Sequence, residues 1–225
     1  MRSIGEGAYL IALSVWVFLR KLLEESKVRR RFYSNKKFYA IDHALKNAYR
    51  GINPYRISKQ FLLQRGEKEV DVYGETPLTT LFKIADECNI TALDHVLEIG
   101  AGRGRGAFFL SHYIGCKVLA IEWIPSFVKI AKELSEQYQE RVAFLCQDVL
   151  DVEIKSFSVV YLCGTSFSDA FMQKLAQKLE DLLQGSSVIS VSFPLSDYST
   201  RFVVIKKFTA LFLWGEAEIF LQKRI

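Results

Sequence analysis

Beyond residue 70 the chain alternates short apolar runs with amphipathic stretches, the pattern of strands and helices taken in turn. VLEIG (96–100) reads as a buried strand and 106–113 as a helix; KVLAIE (117–122) is a second strand, with a helix over 127–138. VAFLC (142–146) and SVVYLC (158–163) are the third and fourth strands. The stretch 170–183 sets Phe171, Leu175, Leu179, Leu182 and Leu183 on one helical face, and VISVS (188–192) is a fifth strand. The last stretch, FVVIKKFTALFLWGEAEIFLQKR, reads as two long strands joined near Trp214 and Gly215. This alternation predicts an α/β fold with a doubly wound, seven-stranded, mostly parallel sheet and an antiparallel C-terminal strand. The ligand of such a sheet lies at the carboxyl ends of its strands.

An N-terminal apolar helix precedes this domain. Residues 8–19, AYLIALSVWVFL, carry no charge, and Arg20, Lys21, Lys27, Arg29, Arg30, Arg31, Lys36 and Lys37 follow. The run is shorter than the roughly 20 residues that cross a bilayer comfortably. Its basic flank favours keeping the following domain in the cytoplasm. Residues 1–37 are therefore expected to be a membrane anchor with a basic segment, either spanning over 3–18 or lying in the interface. The alternative is an amphipathic helix packed on the domain. Residues 38–70 read as a helical linker broken near Asn53 and Pro54, and 71–225 as the main domain.

Charge sharpens this division. Residues 1–50 hold 11 Lys and Arg against 4 Asp and Glu, whereas the remaining 175 hold 19 against 21. The excess positive charge belongs to the N-terminal segment, which disfavours a domain that coats nucleic acid. The four cysteines are scattered, with neither a CxxC pair nor a partnering His. A reducing compartment fits, and neither a disulfide framework nor a metal site is expected.

The strongest chemical signal is Val96-Leu-Glu-Ile-Gly-Ala-Gly-Arg-Gly-Arg-Gly106. Glycines at 100, 102, 104 and 106 let the backbone approach a ligand closely between a strand and a helix. The dinucleotide register G-x-G-x-x-G fails from Gly100, because position 105 is Arg. Glu98 is an acid inside an apolar strand, costly without a partner and better matched to a cationic ligand than to a pyrophosphate. Glu122 ends the second strand, placed to chelate ribose hydroxyls, and Asp148 follows the third, placed to accept from an adenine amine.

Together these residues resemble the seven-stranded, S-adenosylmethionine-dependent methyltransferases, over roughly residues 71–224. VLEIGAGRGRG is similar to their first motif, and Glu122 and Asp148 to their ribose and adenine acids. The resemblance implies S-adenosylmethionine as cofactor, held by Glu98, Gly100, Ala101, Gly102, Gly104, Glu122, Trp123, Asp148 and Val149. It also implies that the last strand inserts antiparallel beside the fifth. A narrower likeness is to the DOT1-like lysine methyltransferases: Asp71-Val-Tyr-Gly-Glu-Thr76 resembles their loop over the cofactor's methionine end, which puts Tyr73, Glu75 and Thr76 at the site. Gly74 would permit the turn there, and Thr76-Pro77 would also cap a helix over 78–88. That family's Asn-Asn-Phe segment is replaced by Cys163-Gly-Thr-Ser-Phe167, leaving Thr165, Ser166 and Phe167 as the substrate-side candidates. The resulting expectation is a membrane-tethered methyltransferase acting on a protein side chain, lysine favoured. The rivals are a non-catalytic cofactor-binding module that recruits a partner and a small-molecule methyltransferase.

Overall fold

The computed structural model describes residues 4–70, 73–138 and 141–225; the side chains of 4–13 and of Ser166 lie outside what it describes. Asp71 and Val72, which open the loop over the methionine end, and Ser3, which starts the expected spanning segment, are outside the described residues.

The sheet is seven-stranded, in the order β3-β2-β1-β4-β5-β7-β6. β1 (His95–Ile99), β2 (Lys117–Glu122), β3 (Val142–Cys146), β4 (Val159–Leu162) and β5 (Ser187–Val191) pair in parallel. β7 (Gly215–Arg224) inserts antiparallel between β5 and β6 (Phe202–Phe212), as the terminal hairpin predicts. Alternation along the strands divides the core. Val96, Val118, Ala120, Val159, Tyr161 and Ile189 face one layer. Leu97, Ile99, Ile121, Val160, Leu162 and Val188 face the other, where α7 (Asp169–Leu179) packs. Glu98, two residues after Val96, therefore points into the first layer beside Tyr161, its register partner across β1 and β4.

That first layer is built from α4 (Leu78–Glu87), α5 (Arg105–Phe109), α6 (Pro125–Gln137) and the N-terminal helices α1 (Ile4–Phe32) and α2 (Lys36–Ala48). α3 (Pro54–Gln64) starts after the Asn53 cap, at the break that Asn53-Pro54 signals. α5 is shorter than the helix expected over 106–113: a π turn, Leu110–Ile114, takes over after Phe109. It lets Phe109 and Tyr113 stack with their rings 5.0 Å apart, beneath Phe32 of α1.

The N-terminal segment departs most from expectation. The apolar run and the basic residues up to Arg31 form one continuous helix, Lys36 and Lys37 open α2, and among the described residues no helix is long and apolar enough to cross a membrane. The second half of α1 is part of the domain: Val28 and Phe32 are fully buried in the core shared with α2, α4 and α5. The basic string KVRRRF hides two core residues between charges.

Candidate active site

Three elements meet at the carboxyl ends of β1 and β2. The glycine turn leaves β1 with the Gly100 and Ala101 N–H groups donating to the Ile121 carbonyl. A Cβ on Gly106, at the start of α5, would collide with Oε1 of Glu98, so any other residue there would have to displace that carboxyl. The glycine thus admits a carboxyl group beneath the helix. Glu98 is 6% exposed; the Ala107 backbone N–H donates to its carboxyl, and among the described residues Oε2 has no hydrogen-bond partner. Burial, then the neighbouring Glu122 and Glu75 carboxylates, push Glu98 up to about 8, against the pull of the Ala107 N–H.

Glu122 is 8% exposed and saturated with donors: the N–H groups of Gly102 (2.7 Å), Trp123 (2.7 Å) and Ile124 (2.9 Å) all point at its carboxylate. It ties the end of β2 to the glycine turn. Burial raises its carboxyl above the usual range, and the three N–H groups oppose that rise. Asp148 accepts from Leu150 N (3.0 Å) and caps a short 3-10 turn whose first residue, Val149, is buried. Ala101 is buried within the turn. Trp123, 38% exposed, packs edge-on to Phe61 with the Arg65 guanidinium 4.0 Å over its ring.

The segment after residue 72 folds over the glycine turn. A Cβ on Gly102 would stand 3.1 Å from the Tyr73 hydroxyl, so that ring covers the turn. Glu75 takes a cation, but one from the chain: Arg103 Nε and Nη2 donate to its two oxygens at 2.6 and 2.7 Å, and the Tyr73 hydroxyl donates at 2.5 Å. Burial alone would raise the Glu75 carboxyl, but the paired guanidinium holds it below the ordinary range. Thr76 does not cap α4. Its hydroxyl lies 2.6 Å from that of Tyr161, and Glu24 of α1 instead accepts from Thr79 N (3.0 Å) and Thr79 Oγ1 (2.5 Å) in the first turn of α4.

On the substrate side, Gly164–Ser166 form a 3-10 turn after β4. Phe167 reaches the site, its Cζ 3.7 Å from where a Gly100 Cβ would be; Thr165 is exposed, and the Ser166 side chain lies outside the described residues. Trp214, stacked 4.6 Å from Phe212, brings its ring to 3.4 Å from a Gly74 Cβ position. Among the described residues no cluster could hold a metal ion.

The sequence reading missed the arginines. Arg103 and Arg105 occupy positions of a turn that sterically asks only for small residues, and their charge was the available signal. Arg105, with 13% of its side chain exposed, is gripped by Asp42 of α2 (2.7 Å) and Glu25 of α1 (2.8 Å), while Lys46 bridges both acids. Burial raises Asp42 by itself, but Arg105 and Lys46 hold it far below the carboxylate range. The glycine turn is thereby bolted to the N-terminal helices.

These residues fit S-adenosylmethionine. The orphaned, buried Oε2 of Glu98 lacks a cation, the glycines leave the backbone bare, and Glu122 presents a fixed carboxylate at the end of β2. Residues 96–185 match a family model described as a methyltransferase domain. No curated protein matches the chain. Among solved structures, the chain is similar to an RNA methyltransferase from Salinibacter ruber in complex with S-adenosyl-L-homocysteine, with 21% identity, TM-score 0.56, and 67% of this chain and 94% of that one covered. TrmN from Thermus thermophilus aligns with 12% identity and TM-score 0.59, over 68% of this chain and 51% of that chain. The [4+2]-cyclase SpnF aligns with 10% identity and TM-score 0.57, over 66% and 80%. These likenesses show the fold. With the methyltransferase-domain match over residues 96–185, they support S-adenosylmethionine-dependent methyl transfer, with S-adenosylmethionine as the cofactor. The narrower likeness to DOT1-like enzymes finds no support in them.

Proposed function

We propose that the chain transfers the methyl group of S-adenosylmethionine to a protein side chain, with a lysine amine as acceptor, at a membrane surface and with the domain facing the cytoplasm. The observation that carries the acceptor is the set of rings around the glycine turn: Tyr73 over Gly102, Phe167 beside Gly100 and Trp214 beside Gly74. Aromatic faces attract an ammonium group, and apolar surroundings lower its pKa towards the neutral, nucleophilic amine. When bound, the cofactor supplies an electrophilic methyl group on a sulfonium. The chain's part is to hold that group through Glu98, the glycine turn and Glu122, to align the acceptor and to exclude water. An RNA acceptor would ask for unpaired cations at this mouth. Arg103 is instead spent on Glu75, and residues 51–225 are net acidic. A cytoplasmic face agrees with four free thiols.

Incubation of the full chain with methyl-labelled S-adenosylmethionine and a membrane fraction tests the reading. Label is expected in protein, recovered as methyl-lysine after acid hydrolysis, and lost with Phe167→Ala. Label in RNA or in a small-molecule fraction would overturn the acceptor, and no transfer at all would leave a cofactor-binding module.

A further inference from the structure

A groove of about 350 Å³ runs where α1 crosses the start of α4 and the β6–β7 hairpin. Arg20, Lys27 and Lys83 line it, and Arg30 and Arg31 extend it along α1. Two of these cations are fixed by backbone carbonyls: Arg20 Nη1 donates to Phe212 O (3.1 Å) and Lys83 Nζ to Thr209 O (2.8 Å). Neither charge is cancelled by a carboxylate in doing so. Among the described residues no acid forms an ion pair with Lys27 or Arg30. Of the two acids in the lining, Glu24 is engaged by Thr79 at the N-terminus of α4, and Glu216 is exposed at the rim.

The same helix carries an uncovered apolar surface immediately before the groove. Val15, Trp16, Phe18, Leu19, Leu22 and Leu23 are 42–62% exposed, whereas Val28 and Phe32 further along are fully buried. Trp16, Arg20, Leu23, Lys27 and Arg30 recur three or four residues apart and so form one stripe that leads from apolar surface into the groove. The Arg20 guanidinium lies 4.0 Å over the Trp16 ring. Tryptophan beside cations, next to exposed aliphatic side chains, matches the chemistry of a membrane interface.

We propose that this groove binds the phosphate headgroup of an anionic phospholipid while the exposed apolar side chains of α1 enter the interfacial layer, so that the helix lies along the membrane. This rests on the membrane-surface reading above and adds to it the headgroup site. A nucleic-acid backbone would use the cations but would leave six apolar side chains facing water or phosphate. A lipid surface uses both.

Flotation of the full chain with vesicles tests this. With phosphatidylserine mixed into phosphatidylcholine the chain is expected to bind, and with phosphatidylcholine alone to bind weakly. The double variant Lys27→Gln, Arg30→Gln should lose about thirty-fold in affinity for the anionic vesicles. Its S-adenosylhomocysteine affinity, which reports folding, should be unchanged. The variant Leu19→Ser, Leu22→Ser should weaken binding to both vesicle types. Equal binding of the wild type to both would overturn the headgroup site and leave the membrane reading standing. No binding to either would overturn both. Tight binding of a short RNA duplex that the Lys27 and Arg30 changes abolish, without vesicle binding, would reassign the groove to nucleic acid. A dimer that Leu19→Ser, Leu22→Ser dissociates, again without vesicle binding, would mean that a second copy covers the apolar face.

Discussion

A carboxyl group sealed inside a sheet and flanked by two other acids keeps its proton. Glu98 is in that position, raised to about 8 by burial and by Glu122 and Glu75, with the Tyr161 hydroxyl on the adjacent strand and the Cys163 thiol as further titratable neighbours. Its folded pKa lies above the unfolded one, so the native state holds the extra proton and stability falls as pH rises from about 4.5 to about 8. The loss in the cofactor-free protein should amount to a few kcal/mol, about 3–5 at most. Urea unfolding at about pH 5 and about pH 8 should show it, and Glu98→Gln should reduce it to the share of Glu122, whose carboxyl burial also raises. A wild-type stability that does not change over that range would mean that Glu98 is ionised in the fold. Glu122 offers a second measurement. In Glu122→Ala the Gly102, Trp123 and Ile124 N–H groups lose their acceptor. Affinity for S-adenosylhomocysteine should fall roughly ten- to a hundredfold, as expected for one charge-assisted bond. Calorimetry that finds it unchanged would sink the ribose assignment. Both acids were legible because each interrupts or ends an apolar strand. The partner of Glu75 was not: an acid two residues from Tyr73 advertises its need for a cation, yet nothing local says that the cation is Arg103, 28 residues on.

At the level of elements, what local pattern encodes was recovered and what distant residues impose was not. The order of strands and helices follows from the apolar runs, and the terminal hairpin from two long runs around Gly215. The π turn at Leu110–Ile114 was hidden, because one widened turn keeps Phe109 and Tyr113 apolar at near-helical spacing. The start of α4 was misread for a similar reason. Thr76-Pro77 looks self-sufficient as a cap, but the Thr76 hydroxyl goes to Tyr161 and the Thr79 N–H is met by Glu24, 55 residues upstream. Glu24 therefore does for α4 what an N-cap side chain does. Glu24→Ala should cost about 1 kcal/mol, within the range of cap deletions. A thermal melt in which Glu24→Ala matches the wild type would mean that the start of α4 draws no stability from Glu24, whatever Thr76→Val costs through the lost bond to Tyr161.

For the whole molecule the boundary between appendage and domain lies inside α1. The apolar run and the basic string invite a cut near residue 37, since every cofactor ligand suggested by the sequence lies beyond residue 70. The packing argues otherwise. Phe32 sits among Phe38, Phe82, Phe109 and Tyr113, and Val28 is equally buried. Glu25 holds Arg105 at the base of the glycine turn together with Asp42. Losing a buried Phe alone costs about 3–5 kcal/mol, and stripping one partner from a buried ion cluster costs a similar amount. A domain of ordinary stability has roughly 5–15 kcal/mol to lose. Removal of residues 1–37 should therefore abolish cooperative folding, and with it S-adenosylhomocysteine binding. Removal of residues 1–19, which keeps Arg20, Glu24, Glu25, Val28 and Phe32, should leave a folded domain whose affinity for the same ligand is unchanged. Circular-dichroism melts and calorimetry on the two truncations separate these outcomes. If the shorter domain without residues 1–37 melts cooperatively and binds as tightly as the full chain, then α1 is an appendage after all, and the contacts of Phe32 and Glu25 contribute little to the site they surround.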